Sequence, residues 1–236
     1  MKPNPFRGWV VHGNMIISHK LKYVFVHVPK TGGTSMKQIL FSEKFKYDEC
    51  GWVIEEKYNG ALTNKELFTH ASAKEIINYL NKNQYNSNEY FKFGFIRNPW
   101  DMVASNFEYY KQKMSKLSNL PPEEQIKVDA SQKSFLDFLN ATEKASGWFV
   151  SRIFTNNKLN LDFVGKFENI IEDSQIIFKK ILGINYEYIN LPHSNATIRK
   201  HYKYYYNNTT KKIVEKQFSK IIKLGKYEFD EPKIKI

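Results

Sequence analysis

The sequence predicts a three-layer α/β/α protein in which helices cover both faces of a mainly parallel central sheet. The first observation is that apolar runs rich in β-branched and aromatic residues recur at 22–28, 90–97 and 161–167. The second is that each run is followed by a segment with apolar residues at helical spacing. Strands separated by helices pair in parallel, because the chain must cross back over the sheet before the next strand begins.

The first strand leads directly into a glycine-containing loop at 29–35, Pro-Lys-Thr-Gly-Gly-Thr-Ser, and a helix is predicted from 34 to 45. Glycines such as Gly32 and Gly33 allow backbone N–H groups to converge on an anion, and the helix N-terminus adds partial positive charge. Lys30 contributes a full positive charge. Hydroxyl donors come from three further residues of the loop, Thr31, Thr34 and Ser35. The loop therefore predicts a phosphate site.

The order of residues in this loop argues against an ordinary ATPase. A Walker A loop places its lysine after the second glycine and next to a Ser or Thr. Here Lys30 precedes both glycines, and no Gly-Lys-Ser or Gly-Lys-Thr sequence follows. The loop therefore indicates a phosphate-binding protein of a different class.

Two later helices carry clear start signals. A short strand candidate at 66–69 leads to His70, and Ser72 is placed to cap a helix that extends to residue 80. After the strand at 90–97, Asn98 is an N-cap candidate and the proline that follows it suits the first helical position. Both helices are therefore predicted to begin just beyond the carboxyl end of a strand.

The remaining boundaries complete a single domain over 1–236. Residues 1–20 are interpreted as an N-terminal extension, and the segment 117–130, with its two consecutive prolines, as a loop or lid. The strand at 161–167 is followed by a helix that ends near Gly183, and the last helix is predicted at 209–224.

Three basic residues follow predicted strand ends, namely Lys30, His70 and Arg97. The carboxyl ends of parallel strands meet at one edge of a sheet, and open α/β sheets bind their ligands at that edge. We therefore expect these three side chains to lie around one site.

Composition narrows the class of protein further. Of the 236 residues, 42% are apolar, which excludes wholesale disorder and suffices for a sizeable core. No apolar run approaches the roughly 20 residues of a membrane-spanning helix, and the N-terminal residues lack the apolar core of a secretory signal. Cys50 is the only cysteine, so no intrachain disulfide can form. We expect a cytoplasmic protein without a transmembrane anchor.

The net charge of +12 arises from 36 Lys and Arg residues against 24 Asp and Glu residues. The lysines are scattered and form no block of the kind that makes a basic arm, so we expect no nucleic-acid partner. A basic cleft still raises the local concentration of an anionic substrate. No group of His, Cys, Asp and Glu has the spacing of metal ligands, so no metal is expected.

Two motifs together resemble one known family. The loop at 29–35 resembles the 5′-phosphosulfate loop of sulfotransferases that use 3′-phosphoadenosine 5′-phosphosulfate (PAPS). It most resembles the carbohydrate branch (family 2) that contains the heparan 2-O- and chondroitin 4-O-sulfotransferases. The run Phe-Gly-Phe-Ile-Arg-Asn-Pro-Trp-Asp-Met-Val-Ala-Ser at 93–105 resembles the 3′-phosphate motif of that family. Looser matches follow at 163–169 and 195–202, and the resemblance implies a P-loop-like version of the predicted fold.

The resemblance implies how the donor is held. Residues 30–35 would bind the 5′-phosphate, and Lys30 would stabilise the negative charge that grows on this phosphate as it departs. Arg97 and, two turns into the next helix, Ser105 would bind the 3′-phosphate, although an ion pair between Arg97 and Asp101 stays open. A segment at 191–206 would close over the nucleotide through Asn195, Thr197, Arg199 and Tyr202. Packing against the last helix remains the alternative for the aromatic part of this segment.

The acceptor hydroxyl needs a base, because a protonated alcohol is a poor nucleophile. His70 resembles the position of the base in the carbohydrate branch. His27, inside the first strand, is expected to be a core histidine. The competing bases are Glu55 and Glu56, because other sulfotransferase branches use a glutamate upstream of the 3′-phosphate motif.

The predicted function is transfer of the sulfuryl group in line from PAPS to a hydroxyl of a glycan or small molecule, with 3′,5′-adenosine bisphosphate as the second product. One alternative is a P-loop nucleotide kinase, which would need a lysine after the glycines and an Asp for magnesium. Another is a non-catalytic module that binds nucleotides or polyanions and has no need of His70. The acceptor and the oligomeric state are left open.

Overall fold

A computed structural model describes residues 15–40, 70–183 and 198–230 of the chain. The strands in these ranges are β1 (Ile16–Ser18), β2 (Tyr23–Val26), β3 (Phe91–Ile96), β4 (Phe154–Thr155), β5 (Lys158–Leu159) and β6 (Phe163–Lys166). The α-helices in the same ranges are α1 (Gly33–Leu40), α2 (Ala73–Lys82), α3 (Pro99–Gln112), α4 (Pro122–Lys133), α5 (Phe135–Ala141), α6 (Glu143–Ser151), α7 (Ile170–Leu182), α8 (Asn208–Gln217) and α9 (Ser219–Gly225). None of these helices has the length and apolar character needed to cross a membrane.

The main sheet has the strand order β1-β2-β3-β6, while β4 and β5 form a separate hairpin. Strands β2, β3 and β6 are parallel, and β1 is antiparallel to β2. In register, Val26 lies opposite Gly94, and Ile96 lies opposite Lys166. The carboxyl ends of the three parallel strands therefore share one edge, as predicted for a mainly parallel α/β sheet.

The sheet lies between two buried apolar clusters, because successive residues of a strand point to opposite faces. Tyr23 and Phe25 belong to one cluster, together with residues of α1 and α7. Val24 and Val26 belong to the other, together with residues of α2, α3, α5, α6, α8 and α9. The loop that follows β2 is thus anchored by a strand that is buried on both of its faces.

The predicted helix starts are confirmed. Ser72 forms a capping box before α2, since its Oγ accepts from the N–H of Glu75 at 3.2 Å and the Glu75 carboxylate accepts the N–H of Ser72 at 2.6 Å. The side chain of Asn98 accepts from the first-turn N–H groups of α3, and Pro99 is its first residue. Gly183 ends α7 in the left-handed region, with φ +70°.

Two predicted boundaries differ from the structure. Residues 15–18, assigned above to an N-terminal extension, include the edge strand β1, because Ile16 and Ile17 are buried against the sheet. The segment 117–130 is a loop only up to α4, because Pro122 suits the first helical position and two glutamates follow it in the first turn. The predicted strand at 66–69 and the continuation of α1 to 45 lie outside the described residues.

The last helix is also divided. The sequence predicts one helix at 209–224, whereas α8 ends at Gln217 and α9 begins at Ser219. The intervening Phe218 is almost fully buried and contacts the ring of Phe149. The break coincides with this buried ring and is not evident from the apolar periodicity of the segment.

Candidate active site

The loop between β2 and α1 has the shape of an anion site. Lys30 and Gly32 both lie in the left-handed region, with φ +67° and +81°. Left-handed residues that alternate with others turn successive backbone N–H groups towards one concave side. The hydroxyl of Thr31 donates to the carbonyl of Val28 at 2.7 Å, so it closes the loop rather than facing a ligand. Thr34, in the first turn of α1, remains partly exposed.

Gly33 is required at its position because the ring of His27 packs against it. A Cβ on Gly33 would lie 1.9 Å from Cδ2 of His27, far inside van der Waals contact. His27 is 6% exposed, in agreement with its prediction as a core histidine. The imidazole therefore lies directly beneath the start of α1.

The ammonium group of Lys30 lies 4.1 Å from the centre of the Tyr109 ring, a cation–π contact made by α3. Burial lowers the pKa of Lys30 to about 7, helped by the nearby positive charges of Arg97, Lys113 and Arg199. An anion bound in the loop would raise this pKa again, because it favours the charged form. The charge of Lys30 is thus sensitive to what the loop holds.

Arg97 follows β3 and connects its end to the loop after β2. Its Nη1 donates to the carbonyl of Lys30 at 2.9 Å, while Nε and Nη2 donate to one carboxylate oxygen of Asp101 at 2.9 and 2.5 Å. Its guanidinium carbon lies 4.3 Å from the centre of the Phe167 ring. These bonds use three of the five N–H groups of a guanidinium. The ion pair with Asp101 that the sequence left open is present.

Asp101 holds a second arginine as well. Nη2 of Arg199 lies 2.6 Å from the other carboxylate oxygen of Asp101. Burial acts to raise the pKa of Asp101, but the charges of Arg97 and Arg199 outweigh it and hold this pKa below its usual value. The carboxylate therefore stays ionised between two guanidinium groups.

One face of α3 makes most of these contacts. Its residues are spaced so that they share that face, and they are Asp101, Ser105, Glu108, Tyr109 and Gln112. Glu108 accepts from the hydroxyl of Tyr205 at 2.8 Å, and Gln112 donates to the carbonyl of Ile198 at 2.8 Å. The segment 198–205 therefore lies along α3. Of this face, only Asp101 and Ser105 were recognisable from the sequence as candidate site residues, although the helical spacing of the others is visible there.

The described residues of the predicted covering segment, 198–206, differ in where they lie relative to the site. Arg199 reaches the site through Asp101, whereas Tyr202 is buried in the core. The hydroxyl of Tyr202 donates to the carbonyl of Phe229, and the two rings pack edge to face at 5.6 Å. Tyr202 is therefore packed in the core, and its contact with a nucleotide stays a prediction. Asn195 and Thr197 lie outside the described residues.

The candidate base lies beside the loop rather than inside it. The ring of His70 lies 4.7 Å from that of His27 and 5.7 Å from that of Trp148, centre to centre. The backbone carbonyl of His70 accepts from Nη1 of Arg152. The competing candidates, Glu55 and Glu56, lie outside the described residues.

A buried carboxylate that sequence reasoning did not single out lies behind the site. Glu168 accepts from the N–H of Asn98 at 2.7 Å and from the hydroxyl of Tyr227 at 2.9 Å. Burial raises the pKa of Glu168, and the hydrogen bond from Asn98 offsets this only in part. The residue joins the start of α3 to the end of β6, inside the looser motif at 163–169.

Comparison with known proteins decides the family. The profile described as the sulfotransferase family matches residues 13–229. The chain belongs to the sulfotransferase family. An uncharacterized protein of Archaeoglobus fulgidus is 35% identical over 92 residues, which cover 39% of this chain and 68% of that protein. No solved structure gave a significant match. The family predicted from the two phosphate motifs is confirmed, and its members transfer sulfuryl groups.

Proposed function

We propose that this sulfotransferase uses PAPS as the donor and transfers the sulfuryl group to a hydroxyl of a carbohydrate. The main support is the hydrogen bond from Arg97 to the carbonyl of Lys30, which joins the two predicted phosphate sites into one. A P-loop-like, three-layer fold accounts for this arrangement, because both sites then follow neighbouring strands at one sheet edge.

The 5′ end of the donor would be held by the loop after β2. Backbone N–H groups at 31–35 and the first turn of α1 supply dipoles, and Thr34 and Ser35 supply hydroxyl groups. Lys30 supplies the cation. When the bond between sulfur and the bridging oxygen breaks, negative charge grows on that oxygen, and a cation aimed there stabilises the transition state more than the ground state.

The 3′-phosphate would be held at the start of α3. Two of the five N–H groups of Arg97 make no hydrogen bond to the residues that the structure describes, and Arg199 lies across the same carboxylate. One guanidinium group can donate two parallel hydrogen bonds to a phosphate. The two guanidinium groups that Asp101 holds therefore suit a doubly charged phosphate. Ser105, buried one turn further along the same face, would add a hydroxyl.

His70 would remove the proton from the acceptor hydroxyl. As the acceptor oxygen bonds to sulfur, its proton passes to the imidazole, and the adenosine bisphosphate leaves with the electrons of the broken bond. The chain of contacts from the loop through Gly33 and His27 to His70 supports this role, because it brings the base next to the donor site.

The nucleotide specificity tests the proposal directly. We expect 3′,5′-adenosine bisphosphate to bind about 10- to 150-fold more tightly than AMP, which corresponds to roughly 1.5–3 kcal/mol for a charged, bidentate contact. Calorimetry measures both, and Arg97→Met should remove most of the difference. The matched control is Lys179→Met, which removes one exposed charge on α7.

These affinities, together with transfer of labelled sulfate from PAPS, distinguish a sulfotransferase from a nucleotide kinase and from a non-catalytic binding module. Equal affinity for AMP and the bisphosphate would contradict the 3′-phosphate site, and tighter binding of Mg-ATP would favour a kinase. Tight binding of the bisphosphate without transfer to any of a wide panel of hydroxyl compounds would favour the binding module.

A further inference from the structure

Trp148 on α6 is an unusual aromatic residue in this protein. Its side chain is 38% exposed, whereas Trp100 on α3 is 2% exposed. Its ring packs edge to face against His70, with an interplanar angle of 83°. A large apolar ring that remains accessible beside a candidate base is a surface on which a substrate can pack.

Three rings connect the phosphate loop to this surface. His27 occupies the space beside Gly33, His70 lies 4.7 Å from His27, and Trp148 lies 5.7 Å from His70. If the sulfuryl group is held at the loop, the hydroxyl that attacks it must lie close to His70. Trp148 is exposed and in direct contact with His70, so its ring lies within reach of the rest of that acceptor.

Arg152 fixes the indole in place. Its guanidinium carbon lies 4.6 Å from the centre of the Trp148 ring, and its Nε donates to the Trp148 carbonyl at 3.1 Å. Its other N–H groups bond to the carbonyl of His70 and, at 3.1 Å, to Oγ of Ser151. Because these bonds join Arg152 to both residues, Arg152 positions the indole ring and His70 together.

We propose that Trp148 is the acceptor platform, on which one ring of a sugar packs while the hydroxyl to be sulfated lies at His70. The inference rests on the proposed function and names the acceptor subsite for it. A pyranose presents C–H groups to an aromatic face and hydroxyl groups around its rim. The charged Arg152 packs on the indole, and the half-exposed carboxylate of Glu75 lies 3.6 Å from Arg152. A phenol would need an enclosed apolar slot instead.

The test compares variants in sulfate transfer to a panel of unsulfated oligosaccharides, polysaccharides, phenols and aliphatic alcohols. For the sugar that the wild type sulfates, Trp148→Ala should raise the acceptor KM about 10-fold or more, as loss of a buried aromatic contact does. Trp148→Phe should raise it less. The turnover at saturation and the affinity for 3′,5′-adenosine bisphosphate should change less than about twofold.

The matched control is Tyr85→Ala. Tyr85 is also 38% exposed, but it stacks on His19 at 4.1 Å near the amino ends of β2 and β3, at the other edge of the sheet. Its loss should leave the acceptor KM unchanged. If Trp148→Ala does not fold, by melting and by bisphosphate binding, Trp148→Phe and Trp148→Leu are compared in its place.

Three results would overturn the inference. The first is an unchanged acceptor KM in a folded variant, and the second is a loss of turnover alone, which would make Trp148 a positioning residue for His70. The third is a wild type that sulfates phenols or aliphatic alcohols but no sugar. A wild type that neither binds the bisphosphate nor transfers sulfate would instead refute the proposed function, and the inference would fall with it.

Discussion

The proposed donor end and the proposed acceptor end of the candidate site are built in different ways. At the donor end, Arg97 and Arg199 bracket the carboxylate of Asp101, and Arg97 also donates to the backbone carbonyl of Lys30, all at 2.5–2.9 Å. At the other end, the contacts are between rings, those of His27, His70 and Trp148, at 4.7 and 5.7 Å.

On the proposed function, the difference follows from the ligand that each end binds. A phosphate is small, charged and always the same, so it can be bound by a short loop and by arginines at fixed geometry. An acceptor is larger and less charged, so it is recognised by shape and by aromatic surface. Substitutions at the two ends should therefore change turnover and nucleotide affinity to different extents.

The largest expected effect is at the acceptor end. His70→Ala should reduce turnover by about 10²- to 10⁴-fold, the usual contribution of a general base, while bisphosphate affinity stays nearly unchanged. Steady-state transfer and calorimetry measure the two quantities. Near-normal turnover in a folded His70→Ala protein would exclude this base, and Glu55→Gln and Glu56→Gln would then be the variants to compare.

At the donor end, Lys30→Met should reduce turnover by more than it weakens binding of the bisphosphate product. A loss of about 10²- to 10³-fold in turnover is expected for one group that stabilises the departing charge. Lys30→Arg keeps a cation on a differently shaped side chain and should recover part of the rate. Parallel losses in turnover and product affinity would show that Lys30 only binds.

Asp101→Asn distinguishes two roles of the carboxylate between the arginines: it either orients them for the phosphate or competes with the phosphate for them. If Asp101 orients Arg97 and Arg199, its loss should reduce the preference for the bisphosphate over AMP by about 10-fold, because a charged hydrogen-bonded pair is lost at each side. The exposed Asp129→Asn on α4 is the control. Tighter bisphosphate binding by Asp101→Asn would mean that the carboxylate competes with the phosphate instead.

The smallest expected effect is the uptake of less than one proton for each nucleotide that binds. With its pKa lowered to about 7 by burial, Lys30 is mostly neutral at pH 8 in the donor-free protein. A bound anion raises that pKa, so binding at pH 8 should take up protons, and bisphosphate affinity should fall as the pH rises above 7. Calorimetry in buffers of different ionisation enthalpy measures the uptake. Lys30→Arg should abolish it, and equal uptake in that variant would assign it to another group.

The sequence predicted the strand, loop and helix start at the proposed donor end because their determinants are local. The strand before the loop, the glycines beside Lys30 and the Asn98–Pro99 helix start are each contiguous, so their physical role can be recognised without a partner. Arg97 and Ser105 are likewise separated by a fixed number of helical turns. What the sequence did not predict is that Asp101 would bind an arginine 98 positions away.

At the proposed acceptor end the sequence singled out only His70, whose role stays a prediction, because Trp148 comes from a distant element. Trp148 is one of several aromatic residues at helical spacing, and only the fold shows that its ring reaches His70. The same limit explains the edge strand β1. Its three residues, Ile16–Ser18, are too few to show an alternating pattern and are recognisable only through their pairing with β2.

The hydrogen bond from Arg97 to the carbonyl of Lys30 holds the two proposed phosphate sites at a fixed distance from each other. Strands β2 and β3 are paired in register, with Val26 opposite Gly94, so the loop and the arginine cannot move apart independently. On the proposed function, a nucleotide satisfies both anion sites only if its two phosphate groups are separated by the span of one ribose. Adenosine 5′-phosphosulfate, which lacks the second phosphate, would bind at one end alone, and 3′,5′-adenosine bisphosphate would be held at both.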